Sequence, residues 1–429
     1  SPHVHWTLCR EAESHRFAWW SAESGPGAPN GKGPVSMRAL ITGMGCITPL
    51  GQSVPEFERR LFAGECGLAP VERFPTEGLR NDLAGEVRPL PVPPSWAAVD
   101  SLTSPDPLFL ACAVDQALAA AALGSGPLQM GIVLSTNFAG SSELDRAFGL
   151  SGATPKLEAW SFDAGIPLLV GGLDISGPAL TLSISCASGT SAVALAADWI
   201  RAGRADAVIV GGYDALSLYV LSGLSILRTV STDTCRPFDR NRSGTIFAEG
   251  AAALVIESDE RAAERGARVY AEILGGADTN NAYHLTAPDK EGEGIELCVR
   301  RALERAEVAP EEIDYVNAHG TATLYHDVTE VRALKAALGS RAYEIPVSSI
   351  KGACGHMMGA AGTIEVVASV LAMERQEAPP TVNLVTPDPE CDLDHVPGCS
   401  RAATVRTVLT NSAGIGGSNA SLLLRGGPR

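Results

Sequence analysis

Short apolar runs recur along the chain, broken by Gly-, Pro- and Asp-rich stretches and alternating with Ala-rich segments of helical spacing. In the first half, Arg38–Thr42, Met130–Leu134, Ala179–Leu182, Ala205–Gly212 and Gly250–Glu257 predict strands, and Ala179–Leu182 is expected to be buried. Val54–Ala63, Leu108–Leu123 and Ser191–Ile200 predict helices, and residues 66–105 read as loop. In the second half, strands are predicted at Val269–Leu274, Ile313–Ala318, Ile345–Ile350, Thr407–Asn411 and Ala420–Leu424, with helices at Gly294–Ala306 and Ala360–Met373. Strands alternating with helices argue for an α/β sandwich. Gly43–Gly51 reads as a glycine-rich turn that begins like a dinucleotide fingerprint. Thr48 stands where the third glycine belongs and Pro49 follows it, so a Rossmann site is excluded.

The pattern repeats. A strand, a turn with a chemically distinctive residue and a small-residue helix follow one another around Cys186 and again around His356. The glycine-rich stretch before Glu257 answers the one at Gly414–Ser418. Such duplication predicts two similar βα units packed face to face, their reactive turns meeting at a pseudo-twofold axis. The expected division is 37–266, holding Cys186, and 267–429, holding His319 and His356. Residues 1–36 stand apart, with three of the eight histidines, three of the six tryptophans and a Gly/Pro linker from Gly25 to Pro34. They lack the apolar core of a signal peptide and read as an appended or disordered extension before Met37.

Composition narrows the function classes. At 45% hydrophobic and 19% charged residues, the 429-residue chain can build a large packed core. Its net charge of −16 and the lack of a Lys/Arg run exclude a nucleic-acid binder. No apolar run reaches ~18 residues, so no membrane helix is expected. The ten cysteines include no CxxC pair, which argues against zinc or thioredoxin-like chemistry, and no metal is expected. A chain of this size needs no disulfides, so reduced thiols in the cytoplasm are the expectation.

Four stretches have the composition of a site. Cys186, in Ser183–Thr190, falls on a strand-to-helix turn, where helix N–H groups favour a thiolate. His319 lies in Asn317–Thr323, followed by Asp327 and Glu330. Lys351 and His356 lie in Ser348–Gly362, and a glycine-exposed backbone spans Asn411–Asn419. Each sits at a strand end, where sheet folds bind ligands. Singly, each has a plain structural reading: a core cysteine, a capping histidine, a salt-bridged lysine, a hairpin turn. His284 and Asp239 are expected to be structural, His326 and His395 to lie on the surface, and Cys354 to be core.

Together, SISCASG, NAHGTAT, SSIKGACGHMMGAAG and NSAGIGGSNASL resemble the signature set of the elongating β-ketoacyl-ACP synthases (3-oxoacyl-[acyl-carrier-protein] synthase II type, condensing enzymes of the thiolase superfamily). Pro237–Asp239, Asn281–Thr286, Asn383-Leu384 and Cys391–Asp394 extend the similarity over residues 38–425. The resemblance implies a thiolase-like fold, two duplicated halves in a five-layered α-β-α-β-α sandwich. It implies an acyltransferase of type II fatty acid or polyketide synthesis, in which Cys186 holds an acyl thioester that condenses with malonyl-ACP as CO2 is lost. His319 and His356 would stabilise the enolate, and the N–H groups of Cys186 and Ile415 would form the oxyanion hole. Lys351 would bias the site electrostatically and pair with Glu330, with Asp327 in support. Thr321 and Thr323 would bond the phosphopantetheine arm, which belongs to the carrier, so no cofactor of the enzyme's own is implied. Arg59, Arg60 and Arg228, with Arg240, would form a basic patch for the acyl carrier protein. A homodimer is implied, with a heterodimer as the alternative.

The chain departs from that pattern at the pocket gate, where Ala413 and Ile415 replace two Phe residues, and from Asn137 to Gly172, which matches poorly. Ser243 and Ala248 replace a usual Asp and Gly. Two alternatives remain: a non-condensing chain-length-determining partner, against which Cys186 argues, and a polyketide ketosynthase with a specialised acyl substrate. A thiolase would carry a second cysteine in the C-terminal glycine-rich turn, and an initiating synthase would carry Asn in place of His356.

Overall fold

Two glycines in the first strand set how closely helix and sheet pack. The computed structural model describes residues 37–97, 102, 104–124, 128–149 and 160–427; the predicted extension at 1–36 lies outside them. Strand β1 (Ala39–Ile47) runs straight through Gly43 and Gly45, where the sequence suggested a turn. A Cβ on Gly43 would sit 2.2 Å from the Ala117 carbonyl oxygen, and one on Gly45 would sit 2.1 Å from that of Ala113. These glycines therefore serve close packing, letting a helix lie directly on the strand.

Among the described residues the main sheet has ten strands. After β1 come β2 (Met130–Ser135), β3 (Ala179–Leu182), β4 (Ala207–Asp214) and β5 (Gly250–Ser258). The second half supplies β6 (Ala271–Asn280), β7 (Tyr315–Asn317), β8 (Val347–Ser348), β9 (Thr407–Ala413) and β10 (Ser418–Gly426). The spatial order is β8-β7-β9-β10-β6-β1-β5-β4-β2-β3. Read outward from the centre, each half has one pattern: two antiparallel pairings, then two parallel ones. Within the described main sheet, the two halves pair where Ala39–Ile41 meets Ala271–Ile273. Residues from Met37 onward form one compact unit.

Six helices complete the layers: α1 (Val54–Phe62), α2 (Pro105–Ala121), α3 (Ser188–Arg201), α4 (Glu293–Ala306), α5 (His326–Leu338) and α6 (Ala361–Arg375). Helix α2 covers the first-half strands, α4 covers β6 and β10, and α5 packs on α4. Between the halves, α3 and α6 pack on each other and on strands of both. Their contact is nearly backbone to backbone: a Cβ on Gly362 would lie 2.2 Å from Thr190 N, and one on Gly189 2.7 Å from Thr363 N. This central layer yields the five-layered α-β-α-β-α order and brings the starts of α3 and α6 together. None of the described helices is long and apolar enough to cross a membrane.

One expectation for the sheet needs correction. Strand β3 is an edge strand, paired only with β2 among the described residues, and its side chains are partly exposed. Leu180 and the following Ile184 are 39% and 37% exposed. The apolar run did become a strand, but it is not buried, because a described neighbour covers only one of its edges.

Candidate active site

Cys186 follows β3 and immediately precedes α3. The chain reaches it through Ser185, whose φ of 53° is unusual for a residue with a side chain and turns the sulfur toward the second half. Ser188 braces the bend: its N–H donates to Ser185 O at 3.0 Å, and its hydroxyl accepts from Ile184 N at 2.8 Å.

His356 arrives from the symmetry-related turn before α6. Its main chain is held between Ile246 and Ala248: His356 N donates to Ile246 O at 2.8 Å, and Ala248 N donates to His356 O at 2.9 Å. The ring stacks near Phe247, and Nε2 stands 3.0 Å from Cys186 Sγ. His319 leaves the end of β7, its ring 5.5 Å from that of His356 at an interplanar angle of 88°. Cys186, His319 and His356, placed far apart in sequence, thus meet where the two halves face each other.

Lys351 is buried and reaches His319 Nδ1 at 3.4 Å. An ammonium has donors only, so Nδ1 accepts and His319 carries its proton on Nε2. The predicted pairing with Glu330 is not made. Lys351 Nζ instead bonds and pairs with Glu365 on α6. Glu330 accepts from His319 N and Gly320 N, each at 2.8 Å, and so fixes the main chain that carries His319. Asp327 also supports backbone, accepting from Phe238 N at 2.8 Å. Glu365 is the residue that sequence reasoning missed; its other oxygen accepts from Ser412 at 3.1 Å, and Ser412 in turn bonds Thr190. The available signal was a lone acid within the apolar run Ala360–Met373.

Burial dominates the electrostatics. It pushes the Cys186 thiol up to about 11, opposed by the Lys351 charge and the Ile415 N–H facing the sulfur. The turn therefore holds a resting thiol rather than the thiolate expected from a helix start, because the sulfur is shut off from water and faces Asp214 and Glu365 as well. Burial and then Lys351 hold His319 and His356 well below the usual histidine range, so both are neutral N–H donors near pH 7. Burial raises the Glu330 carboxyl to about 7 and that of Asp214 to about 7. Asp214 accepts from Asn137 N, Phe138 N and Gly359 N, tying the end of β4 to the loop after β2 and the turn after His356.

Cys186, His319 and His356 form the floor of a cavity of about 340 Å³. Thr321 and Thr323 line its wall with hydroxyls 3.2 Å apart, and Ala413 and Ile415 line the opposite glycine-rich turn. Arg228 stands on the wall with an exposed side chain. Arg59 and Arg60 do not line the cavity; both pair with Glu65, which offsets their charge. Arg240 is exposed and also outside the lining. Of Arg59, Arg60, Arg228 and Arg240, expected together as a patch, Arg228 alone lines the cavity. His284 lines the cavity while its Nδ1 accepts from Thr286 N and Ala287 N, and Asp239 accepts from Val385 N and Thr386 N. His326 and His395, expected on the surface, both turn inward: His326 is half-buried and lines the cavity beside His319, and His395 is buried and stacks on Phe238 with centroids 3.8 Å apart.

Comparison with known proteins gives a consistent result. Residues 37–262 match the family model for the beta-ketoacyl synthase N-terminal domain, and residues 270–385 match that for the C-terminal domain. The chain is 36% identical to 3-oxoacyl-[acyl-carrier-protein] synthase 2 of Coxiella burnetii over 90% of this chain and 98% of that protein. Among solved structures it resembles the ishigamide ketosynthase/chain length factor, with TM-score 0.86, 33% identity and coverage of 92% of this chain and 100% of that one. It also resembles a type II polyketide ketosynthase, bound to the hexaketide and in complex with its acyl-carrier protein: TM-score 0.80, 28% identity, covering 91% and 100% of the two chains.

Proposed function

Because the chain belongs to the beta-ketoacyl synthase family, we propose that it condenses an acyl group held on Cys186 with a malonyl group delivered by an acyl carrier protein, giving 3-oxoacyl-ACP. The observation that carries this reading is a nucleophilic sulfur 3.0 Å from one neutral imidazole, with a second imidazole beside it on the same cavity floor.

The chemistry runs in three steps. Cys186 Sγ attacks the acyl thioester; the bond from the carbonyl carbon to the pantetheine sulfur breaks, and that sulfur leaves as a thiol with the proton Cys186 gives up. The transient oxyanion lies between the N–H groups of Cys186 and Ile415; losing one such donor costs on the order of 3 kcal/mol in related sites. Malonyl thioester then enters and its bond to the carboxylate carbon breaks. CO2 departs, and the electron pair passes into an enolate whose oxygen accepts from His319 and His356. The enolate carbon attacks the acyl carbonyl, the bond to Cys186 breaks, and the sulfur takes a proton from solvent to restore the thiol.

The carrier supplies the phosphopantetheine arm, so the enzyme brings no cofactor of its own. Thr321 and Thr323 suit the arm's amides, and Arg228 suits its phosphate or the carrier's acidic surface. A second copy of the chain is the proposed partner at β3, supported by its exposed edge and by exposed Phe148, Trp160 and Phe162 nearby in sequence. The nine described cysteines are free, which suits the cytoplasm. Malonyl-ACP decarboxylation and full condensation, measured for wild type, Cys186→Ala and His319→Ala, test the reading. Cys186→Ala should abolish condensation yet still release CO2, and His319→Ala should lose both. Full condensation by both variants would refute the mechanism.

A further inference from the structure

We propose that His326 is a positioning residue for His319: its imidazole fills the corner between the His319 ring and the Glu330 carboxylate and holds His319 with Nε2–H facing the cavity. The inference rests on the condensing reading and adds a third imidazole to that site.

His326 opens α5, and its ring meets the His319 ring edge to face, with centroids 4.9 Å apart at 70°. The ring lines the cavity, but both of its nitrogens are buried without a hydrogen-bond partner among the described residues. Nδ1 lies 3.9 Å from Glu330 Oε2, beyond hydrogen-bond reach. Burying polar atoms unpaired costs folding free energy. What the side chain returns for that cost is contact with His319. His319 is otherwise fixed at its main chain by Glu330 and at Nδ1 by Lys351, with the His356 ring at right angles to it. Those contacts set where the ring attaches and which nitrogen carries the proton. The His326 face limits how far the ring can swing.

The charge around His326 agrees with a neutral spacer. Burial, and then Lys351, holds it down to about 4, so its ring stays uncharged beside two other neutral imidazoles. Removing the ring leaves a space that opens directly to the cavity, into which His319 can rotate or water can enter.

The test compares His326→Ala and His326→Phe with wild type in the full chain, with folding checked by circular dichroism. Three readouts are taken: the rate of Cys186 acylation by an acyl thioester, kcat and KM for malonyl-thioester decarboxylation, and the 15N NMR titration of the His319 ring. In His326→Ala, acylation should persist while decarboxylation kcat falls on the order of a hundredfold with KM nearly unchanged, as misplacement of a reacting group by about 1 Å would produce. The His319 titration should move up toward the usual histidine range, because water reaches it. His326→Phe restores the aromatic face and should recover most of kcat. The proposal is overturned if His326→Ala keeps its kcat and its His319 titration, if acylation and decarboxylation fall together, or if the folded Phe variant is as slow as Ala. Should wild type itself fail to release CO2, the condensing reading falls, while the NMR titration still decides whether His326 holds His319.

Discussion

Replacing Glu365 by Ala leaves the Lys351 ammonium buried at about 1% exposure with its ion-pair partner gone and His319 Nδ1, at 3.4 Å, as its remaining hydrogen-bond partner among the described residues. Breaking one side of a buried pair costs about 3–5 kcal/mol, because the remaining charge has lost its compensation while staying out of water. Ser412 loses an acceptor but keeps its bond to Thr190, so its share is small, on the order of 1 kcal/mol or less. Lys351→Met should cost a similar amount by stranding Glu365. The double variant Lys351→Met/Glu365→Ala removes both charges and should cost far less than the sum, giving a coupling energy of roughly 3 kcal/mol or more. Urea unfolding followed by tryptophan fluorescence, at one fixed protein concentration, reads all three. Single variants costing under about 1 kcal/mol, or a double variant equal to the sum of the singles, would show that the pair does not work as a buried ion pair.

The remaining predictions concern the entrance, acid stability and the central layer. Arg228→Glu should raise KM for carrier-bound substrates with little change for a small pantetheine thioester; equal KM values for wild type and variant would remove Arg228 from carrier binding. His395 is held down to about 4 by burial, against roughly 6.5 when unfolded. The unfolded chain therefore binds the extra proton between those values, and the contribution of His395 is full above about pH 6.5 and lost as pH falls toward 4. His395→Phe should gain on wild type by about 3 kcal/mol between pH 7 and pH 4, at about 1.4 kcal/mol per unit, and a pH-independent gap in urea stability would refute this. Gly362→Ala places a methyl 2.2 Å from Thr190 N and should destabilise by at least the 1–3 kcal/mol typical of overpacking, with reduced activity as α3 and α6 separate. A variant as stable and active as wild type would contradict the close contact.

Much of the site was legible because strand ends and reactive residue types coincide: Cys186, His319 and His356 each follow an apolar run that became a sheet strand. The partner of Lys351 was not, because a sequence cannot say which carboxylate faces which cation. Glu330 lay in the motif beside His319 and looked available, whereas its oxygens are taken by two backbone N–H groups. Glu365 was visible only as one acid in a helix that is otherwise apolar. Gly43 and Gly45 misled for a related reason, since glycine serves both a turn and a close helix–strand approach, and only α2 distinguishes them. His326 read as surface, yet the start of α5 turns it and Asp327 inward. The thiol at Cys186 shows the limit most plainly: its position before a helix was readable, but the burial that outweighs the helix end depends on the whole second half.

The central claim is that Cys186 carries the acyl group and gives it up to a malonyl-derived enolate. Intact-mass and peptide mass spectrometry, after exposure to an acyl thioester and then to malonyl-ACP, test it directly. The account predicts one acyl group on Cys186, discharged by malonyl-ACP in step with CO2 release and the appearance of 3-oxoacyl-ACP. An acyl group on another residue, or one that stays on Cys186 when malonyl-ACP is added, would contradict it.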